Sequence, residues 1–454
     1  MGYIETDVLT IGAGGGAYPG AFRLAKAGFD VIMVDKKGVM SGNCLAEGCV
    51  PSKVIREQIH TYIRFRTFSG TESPVDYKKI IAKKDEVQNV RYKLHEEELK
   101  AYKNLRLLKG VARFKDEHTV VVESDKGEDT IKAKHIIIAS GADVFVPPIK
   151  GKEYAITSTD IYKLNPNLNY IPKDFAIVGG GYIGLETAFY FASLGSNVYI
   201  FEKLDRVLAG IDRYATQTLL KYLPKNIKIF TSVEVEEIAL KDKKKLISYK
   251  EGDNIKSLEV DEVLLAVGRR PVIPDGADKF LHINKAIEIN NACQTNIPHI
   301  YASGDVNGKV PLFHAAIRQS MVCAYNIMAN NTPIDYADFE NVPFTVFTIP
   351  AMSFVGITKE KAEKLGVDIV ESSFDLREDS RAEIYSEEGE LRLFFDAKSL
   401  KLIGAYIVGT DAEQLVSHLG LAIKLGATAK DLAEYQDQHP MTQECISKAA
   451  RKLF

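Results

Sequence analysis

Two cysteines, Cys44 and Cys49, are the residues of this chain best suited to redox chemistry. They lie five residues apart in the run Gly42-Asn-Cys-Leu-Ala-Glu-Gly-Cys-Val-Pro-Ser-Lys53. A regular helix rises about 1.5 Å per residue, so this spacing covers about 7.5 Å, whereas a disulfide requires Cα atoms within about 7 Å. A disulfide between them therefore needs a bent backbone, which Gly48 can provide. Such a local, strained disulfide is readily reduced and re-formed, so the pair indicates redox cycling rather than a structural role.

A strand, glycine turn and helix pattern occurs twice in the sequence. The first copy runs from Asp7–Ile11 into Gly12-Ala-Gly14-Gly-Gly16-Ala17, and the second from Phe175–Val178 into Gly179-Gly-Gly181-Tyr-Ile-Gly184. In each copy an acid, Asp35 or Glu202, follows the first glycine by 23 residues. Such turns let a pyrophosphate approach backbone N–H groups at a helix N-terminus, and the acid can bind ribose hydroxyls. The sequence therefore predicts two dinucleotide-binding folds.

Three further apolar strands that end in glycine indicate how the two folds are connected. They are Ile136–Gly141, Val263–Gly268 and Ile300–Asp305. The first two are typical of strands that close a nucleotide-binding domain. The third predicts a return of the chain to the first domain, where Asp305 can accept a hydrogen bond from a ribityl or sugar hydroxyl. We therefore expect an α/β fold with one Rossmann-like domain at 150–270, inserted into another formed by 1–149 and 271–335.

The last part of the chain, residues 336–454, has a different pattern and no glycine fingerprint. Leu391–Phe395 and Leu402–Val408 are predicted to be antiparallel strands. Amphipathic helices are predicted at Asp411–Leu425 and Met441–Lys452. We expect a separate α+β domain here.

Composition excludes several classes of function. The chain has 454 residues, 46% of them hydrophobic and 26% charged, with a net charge of −3. This charge gives no reason to expect nucleic acid or an anionic membrane as a partner, and no apolar run is long enough to span a bilayer. Five cysteines are too few for a disulfide scaffold, and the early first strand leaves no room for a signal peptide. We therefore expect a cytoplasmic protein.

The other cysteines suggest no further chemistry. Cys293, Cys323 and Cys445 are interpreted as isolated buried thiols. Zinc binding by Cys44 and Cys49 lacks two further ligands nearby, so no metal site is predicted.

Along its whole length, the chain resembles the flavoprotein disulfide reductases. The cysteine run is most similar to the Gly-x-Cys-Leu-x-x-Gly-Cys-x-Pro-Ser-Lys of the dihydrolipoamide dehydrogenase branch. Glutathione and trypanothione reductases usually carry Pro-Lys-Lys where this chain has Pro51-Ser-Lys53. Mercuric reductases and large thioredoxin reductases need a C-terminal cysteine pair, and the C-terminal run Ala450–Phe454 has none.

The resemblance implies two bound cofactors, FAD and NAD. FAD belongs to the 1–149 and 271–335 domain, and the nicotinamide cofactor to 150–270. The implied cofactor-binding residues are Gly12, Gly14, Asp35, Lys53, Ser140, Gly141, Gly179, Gly181, Gly184, Glu186, Glu202, Gly268, Gly304 and Asp305. Among these, Lys53 and Glu186 resemble the family's ion pair beside flavin N5. Glu202 repels a 2′-phosphate and so favours NAD over NADP, while Lys203 and Arg206 are interpreted as surface residues.

The resemblance also implies a catalytic base. Thiol exchange needs a proton acceptor near neutral pH, and His439 in His439-Pro-Met-Thr-Gln-Glu444 matches the family's histidine with its partner glutamate. In the family this histidine reaches the active site of the other subunit, so residues 336–454 are predicted to form a homodimer interface. His314 lies in a segment similar to a flavin-lining loop and is assigned a positional role.

The predicted function is oxidation of dihydrolipoamide by NAD⁺, with Cys44, Cys49, His439 and Glu444 as catalytic residues. The dithiol is then carried by a lipoyl protein of a 2-oxo acid dehydrogenase complex or of a glycine-cleavage system. Two alternatives stay open. One is an NAD(P)H-dependent reductase of a soluble disulfide, such as a low-molecular-weight thiol or coenzyme A disulfide. The other is a flavin-binding redox sensor or scaffold without turnover.

Several residues near the predicted site differ from the family pattern. With the family's usual residue in parentheses, they are Ala46 (Asn), Glu47 (Val), Ala351 (Glu), Asp437 (His) and Met441 (Thr). A carboxylate at 47 opposes thiolate formation unless it points away from the dithiol. These differences leave the identity of the substrate open.

Overall fold

The structure is a computed structural model that describes residues 2–71 and 74–454. Its first sheet combines N-terminal strands with one later strand, and labels follow chain order. The strands are β1 Tyr3–Ile11, β2 Val31–Asp35, β3 Leu105–Lys109, β4 Val111–Phe114, β5 Thr119–Ser124, β6 Gly127–Ile138 and β19 Ile300–Ala302. Strands β3, β2, β1, β6 and β19 run parallel, and β5 and β4 extend the sheet as an antiparallel hairpin beside β6.

The central strands of this sheet are buried on both faces, which explains their nearly continuous apolar sequence. Val8, Leu9 and Ile137, for example, have no exposed surface. The helices that follow or precede these strands are α1 Tyr18–Lys26, α2 Gly42–Glu47, α3 Cys49–Ser69, α4 Tyr77–Lys100 and α8 Phe313–Met328. Residues of α1 and α8 form a core with one face of the sheet.

The second sheet is parallel and has the order β11-β10-β9-β15-β8. Its strands are β8 Ile156–Thr157, β9 Asp174–Val178, β10 Asn197–Phe201, β11 Ile227–Phe230 and β15 Glu262–Leu265. An antiparallel sheet formed by β12 Val233–Lys241, β13 Lys244–Glu251 and β14 Asn254–Val260 packs against it. The helices of this part are α5 Ser158–Tyr162, α6 Tyr182–Ser193 and α7 Arg213–Leu220.

Short elements connect the two sheets. The chain leaves the first sheet through β7 Ala142–Val144 and returns through β16 Arg269–Pro271, and these two strands pair with each other. A small hairpin follows, formed by β17 Ile283–Asn284 and β18 Ala286–Ile287. Short 3₁₀ turns lie at Lys152–Tyr154, Ala277–Lys279, Asp305–Asn307 and Leu376–Glu378.

The C-terminal part is an antiparallel sheet with the order β20-β21-β24-β23-β22. Its strands are β20 Phe344–Val346, β21 Met352–Gly356, β22 Ile369–Asp375, β23 Glu390–Asp396 and β24 Leu402–Val408. Its helices are α9 Lys359–Leu365, α10 Ser380–Tyr385, α11 Ala412–Leu425, α12 Ala429–Glu434 and α13 Glu444–Arg451. One face of the sheet, together with α11, α12 and α13, encloses a separate apolar core.

The predicted fold class is confirmed: two dinucleotide-binding sheets built on parallel strands, the second inserted into the first, precede an antiparallel C-terminal domain. The predicted domain boundaries stay a prediction. Sequence patterns missed α12 and placed the start of the last helix at Met441, whereas it begins at Glu444. Within the described residues, no helix is both long enough and apolar enough to cross a bilayer.

Candidate active site

A break at Gly48 separates α2 from α3 and brings the two cysteines together. The backbone of Gly48 has φ −137° and ψ −111°, so the helical path is interrupted for one residue. A Cβ atom at this position would lie 2.9 Å from the carbonyl oxygen of Asn43, so only glycine fits without a shift. Both cysteines are free thiols, and their side chains hydrogen-bond to each other.

The two thiols have opposite electrostatic environments. The hydrogen bond from the Cys44 thiol lowers the pKa of Cys49, and the positive charge of Lys53 lowers it further against the opposing effect of burial. The same interaction raises the pKa of Cys44, although the backbone N–H groups of Val50 and Cys49 at the start of α3 oppose this. The reduced pair therefore loses its first proton as a Cys49 thiolate, which Cys44 and Lys53 stabilise.

A cavity of about 880 Å³ opens in front of the thiols. Its volume suits a large organic cofactor. The predicted site residues that line it are Gly12, Gly14, Asp35, Cys44, Cys49, Lys53, Ser140, Gly141, Glu186, Gly304 and Asp305. Three predicted cofactor-binding glycines after β9, together with Glu202 and Gly268, are not among the lining residues.

An ion pair crosses the cavity wall between the two dinucleotide-binding sheets. Lys53 Nζ on α3 lies 2.9 Å from Glu186 Oε2 on α6. The other carboxylate oxygen accepts a hydrogen bond of 2.9 Å from the Phe347 N–H, and Lys53 Nζ lies 4.0 Å from the centre of the Phe347 ring. The ammonium group is therefore held one helical turn from Cys49.

The first glycine turn is tightly packed against the end of β6. Gly12 has φ +109°, and a Cβ atom there would lie 2.2 Å from the carbonyl oxygen of Ala139. The Asp35 carboxylate accepts hydrogen bonds from the N–H groups of Ala13, Lys37 and Gly38, at 3.3, 2.8 and 3.1 Å. The turn is thus held open toward the cavity, with the acid at its rim.

The turn that follows β19 also suits a flavin nucleotide. Burial raises the pKa of Asp305, and the positive charge of Arg269 opposes this shift. Because burial separates this carboxyl group from water, a hydrogen bond from a ribityl or sugar hydroxyl would stabilise it. Nearby, Gly304 N–H donates to Gln319 Oε1 at 2.8 Å. A cavity with a glycine cradle, an acid at its rim and this buried carboxyl group fits FAD.

The second glycine turn repeats the geometry of the first. Gly179 has φ +108°, and a Cβ atom at Gly184 would lie 2.1 Å from the carbonyl oxygen of Gly179. Glu202 accepts hydrogen bonds of 2.7 Å from the N–H groups of Gly180 and Leu204. Gly181 directly precedes α6. The N-terminus of α6 and the Glu202 carboxylate thus adjoin each other, as a dinucleotide requires.

Two basic residues beside Glu202 already have partners. Lys203 Nζ lies 2.6 Å from Glu234 Oε1. Arg206 is partly exposed, with 29% of its side chain accessible, and its guanidinium donates to three backbone carbonyl groups, those of Leu208, Ala209 and Ile211. The last predicted cofactor residue, Gly268, has φ +118° and accepts a hydrogen bond from Phe145 N–H.

His439 lies outside the cavity of its own chain. Its Nδ1 atom lies 3.0 Å from Glu444 Oε1, and 73% of its side chain is exposed. The Met441 N–H donates to the same oxygen at 3.1 Å. Burial alone would raise the pKa of Glu444, but this N–H group, Lys448 and His439 together lower it. The carboxylate is therefore charged and holds the exposed imidazole. His314, by contrast, lines the cavity and contacts the Pro343 carbonyl oxygen through Nε2 at 2.8 Å.

The residues that depart from the family pattern are accommodated locally. Glu47 lines the cavity but forms a 3.2 Å ion pair with Lys37, so its charge is neutralised beside the dithiol. Asp437 is buried and accepts a hydrogen bond from Ser447 on α13. Ala351 is buried in the C-terminal core.

Some features of the molecule were not predicted from the sequence. Cys293 and Cys323 are buried as expected, but they are not isolated from each other, because their side chains form a hydrogen bond. Burial raises the pKa of Cys323, and this hydrogen bond raises it further. Lys84 and Gln88 on α4 are also fully buried. Their spacing from Tyr77 and Ile81 places them on the buried face of α4, and polar residues on an apolar helix face are the signal that could have identified them.

Comparison with known families defines the class of protein. The chain matches the model for pyridine nucleotide-disulphide oxidoreductases over residues 6–320, and the model for the dimerisation domain of the same family over residues 342–450. It therefore belongs to this family of flavoprotein disulfide reductases, whose members bind FAD and a pyridine nucleotide. The second match supports a homodimer.

Individual relatives are similar over their full length. The chain is 32% identical to the dihydrolipoyl dehydrogenase of Buchnera aphidicola subsp. Schizaphis graminum, covering 98% of this chain and 95% of that protein. It is 33% identical to the dihydrolipoyl dehydrogenase of Staphylococcus aureus, covering 99% and 97%. The Cu(II) complex of the HOCl-induced flavoprotein disulfide reductase RclA from Escherichia coli has a TM-score of 0.88 at 25% identity, covering 99% and 100%. LpdA from Mycobacterium tuberculosis has the same fold, with a TM-score of 0.90 at 21% identity and the same coverage.

Proposed function

We propose that this protein is an NAD⁺-dependent dihydrolipoamide dehydrogenase. The observation that carries the proposal is the dithiol at Gly48, which opens onto the cavity beside the Lys53–Glu186 ion pair. This arrangement stabilises the thiolate of Cys49, the cysteine next to that ion pair. The similarity to dihydrolipoyl dehydrogenases over the whole chain supports the same substrate class.

The chain's own residues account for the thiol chemistry. In the oxidised protein, His439 of the partner subunit accepts a proton from the substrate dithiol, and Glu444 holds the imidazole in place. The substrate thiolate attacks Cys44, the Cys44–Cys49 bond breaks, and Cys49 leaves as a thiolate. The second substrate thiol then attacks the sulfur bound to Cys44, the mixed disulfide breaks, and Cys44 leaves and takes up the proton that this thiol gives up, which closes the cyclic disulfide product.

FAD fits the cavity, with Gly12, Gly14, Asp35 and Asp305 as its binding residues. When bound, it supplies the transfer of the electron pair from the dithiol to NAD⁺, a step that thiols do not perform directly. Lys53 and Glu186 lie at the thiol side of this site.

The nicotinamide cofactor is proposed to be NAD rather than NADP. A carboxylate at the end of β10 repels a 2′-phosphate. The Glu202 carboxylate is held at this position by hydrogen bonds from two backbone N–H groups. An NADP site needs a cation in its place, but Lys203 pairs with Glu234 and Arg206 binds backbone carbonyls. Neither is available to a phosphate without breaking these contacts.

The reverse reaction, reduction of a soluble disulfide by NADH, is the second candidate. It is favoured by the structural similarity to RclA, a flavoprotein disulfide reductase. The catalytic residues are the same in both directions, so the substrate alone separates the two candidates.

Steady-state kinetics of the FAD-loaded protein tests the proposal. We expect turnover of dihydrolipoamide with NAD⁺ and a much lower kcat/KM with NADP⁺. His439→Gln should reduce kcat by about 10²- to 10⁴-fold with unchanged flavin content, whereas His282→Gln, at an exposed histidine, should have no effect. Turnover only with NADH and disulfides such as coenzyme A disulfide would contradict the dehydrogenase proposal and support the disulfide reductase. A protein inactive in both directions would refute both and leave a redox sensor.

A lipoyl-carrying protein is the proposed natural partner. Free dihydrolipoamide and a reduced lipoyl domain present the same dithiol, so their kcat/KM values can be compared directly. A higher value with the lipoyl domain supports membership of a multienzyme complex, and an equal or lower value contradicts it.

A further inference from the structure

The side chain of Gln88 on α4 is joined to the end of α2, the short helix that carries Cys44. Its Nε2 atom donates hydrogen bonds to the carbonyl oxygens of Leu45 and Ala46, at 2.9 and 3.0 Å. Gln88 has no exposed surface. An amide nitrogen has two hydrogens, so both of them are used to bind α2.

These carbonyl groups need an external partner. The last carbonyls of any helix have no partner within the helix, and α2 ends at Glu47 because Gly48 breaks it. Leu45 and Ala46 are buried, with 1% and 9% of their surfaces exposed. Buried carbonyl groups that lack a hydrogen bond destabilise the conformation that contains them.

A buried lysine fixes the orientation of this amide group. Lys84 Nζ donates to Gln88 Oε1 at 2.9 Å, and also to the carbonyl oxygens of Tyr162 and Lys163, at 3.3 and 2.6 Å. The reversed amide would place its oxygen against two carbonyl oxygens and its NH₂ group against the ammonium group. Lys84 therefore directs the two amide hydrogens toward α2.

The turn that Gln88 holds directly follows Cys44. The sulfur of Cys44 accepts hydrogen bonds from the N–H groups of Cys49 and Val50, so its position depends on how the end of α2 is docked against the start of α3.

We propose that Gln88 is a positioning residue for the redox dithiol: it anchors the last turn of α2 so that Cys44 stays in hydrogen-bonding reach of Cys49. The inference rests on the redox role assigned to the dithiol in the proposed function. Gln88 touches neither thiol and acts through the backbone of Leu45 and Ala46.

The test measures the Cys49 thiolate rather than turnover. The FAD-loaded protein is reduced chemically by two electrons without substrate or NAD⁺, and the long-wavelength thiolate-to-flavin absorption is followed against pH. Gln88→Met keeps the length of the side chain but removes both donors. Because Cys44 is then no longer held to donate to Cys49, we expect the pH midpoint of this absorption to rise by about one unit.

The charged and titratable groups facing Cys49 are unchanged in this variant. They are Cys44, Lys53, Glu186 and Tyr182. A shifted midpoint therefore reports geometry and not a lost charge. Asn89→Met is the matched control, because Asn89 is the exposed neighbour of Gln88 on the same helix, and its midpoint should equal that of the unmodified protein.

The melting temperature separates positioning from stability. A Gln88→Met protein with a lower melting temperature but an unchanged midpoint would overturn the proposal, as would an equal shift in Asn89→Met. If Gln88→Met does not fold, Gln88→Asn, which is too short to keep both bonds, should raise the midpoint by a smaller amount, and an unchanged midpoint again overturns the proposal. Lack of dihydrolipoamide turnover in a protein that shows the absorption refutes the proposed function alone. Lack of the absorption in the unmodified protein refutes both.

Discussion

Replacing Lys53 by methionine removes the positive charge next to Cys49 while keeping the length of the side chain. Lys53 lies four residues after Cys49 on α3, and its charge is one of the groups that lower the pKa of Cys49. The substitution also leaves the Glu186 carboxylate without its 2.9 Å ion pair. Both changes act in the same direction, so the Cys49 thiolate should become less stable.

The size of this effect follows from the geometry. Residues four apart on a helix have side chains about 6 Å from each other, and a unit charge at that distance with an effective dielectric constant of about 20 contributes about 2.8 kcal/mol. The Lys53 side chain is 29% exposed, and solvent screening reduces the interaction to about half. About 1.4 kcal/mol remains, which corresponds to a rise of about one unit in the pKa of Cys49.

The assay is the pH midpoint of the thiolate-to-flavin absorption in the two-electron-reduced protein. Glu186→Gln provides the opposite perturbation, because the Glu186 charge raises the pKa of Cys49. The midpoint should therefore rise in Lys53→Met and fall, by less than one unit, in Glu186→Gln. Shifts of the same sign in the two variants, or no shift in Lys53→Met, would refute the electrostatic account of this site.

Three further predictions concern the turn, the cofactor and the domain contact. Gly48→Ala places a Cβ atom 2.9 Å from the Asn43 carbonyl oxygen, so urea denaturation should show a free energy of unfolding lower by about 1–3 kcal/mol. Glu202→Ala removes the acceptor for Gly180 N–H, so initial-rate kinetics should show a KM for NAD⁺ about tenfold higher, with a smaller change for NADP⁺. Burial alone would raise the pKa of Glu387, but hydrogen bonds from His60, Thr410 and Arg64 lower it from 4.5 to about 2. This carboxylate should therefore stabilise the protein by about 3 kcal/mol above pH 5 and lose that contribution as the pH falls toward 2. Glu387→Gln should accordingly unfold more easily at neutral pH, with the difference vanishing near pH 2.

The parts of this site that sequence reasoning predicted are local. The spacing of Cys44 and Cys49 requires a bend, and the bend lies at Gly48. The 23-residue spacing from Gly12 to Asp35 and from Gly179 to Glu202 places each acid at a glycine turn. Both inferences use distances within one supersecondary unit, where helix and strand geometry determine which residues meet.

The contacts that the sequence did not reveal depend on the path of the folded backbone. Gln88 and Ala46 are 42 residues apart and belong to different helices. Glu47 suggested an unfavourable charge beside the thiols, and only the fold shows that Lys37 neutralises it. The carbonyl groups that Arg206 binds lie only two to five residues further along the chain, but no sequence pattern indicates the turn that directs them at the guanidinium group. Contacts of these kinds depend on the folded backbone, which periodicity and spacing do not encode.

The Lys53–Glu186 pair shows why the two dinucleotide-binding folds must act together. Lys53 follows the dithiol on α3 of the first fold, and Glu186 lies on α6, directly after the glycine turn of the second. Their contact fixes the helix that begins at the second glycine turn against the helix that begins at Cys49. A displacement of one fold relative to the other would thus alter the charge beside Cys49, so the stability of its thiolate is coupled to the packing of the second dinucleotide-binding fold.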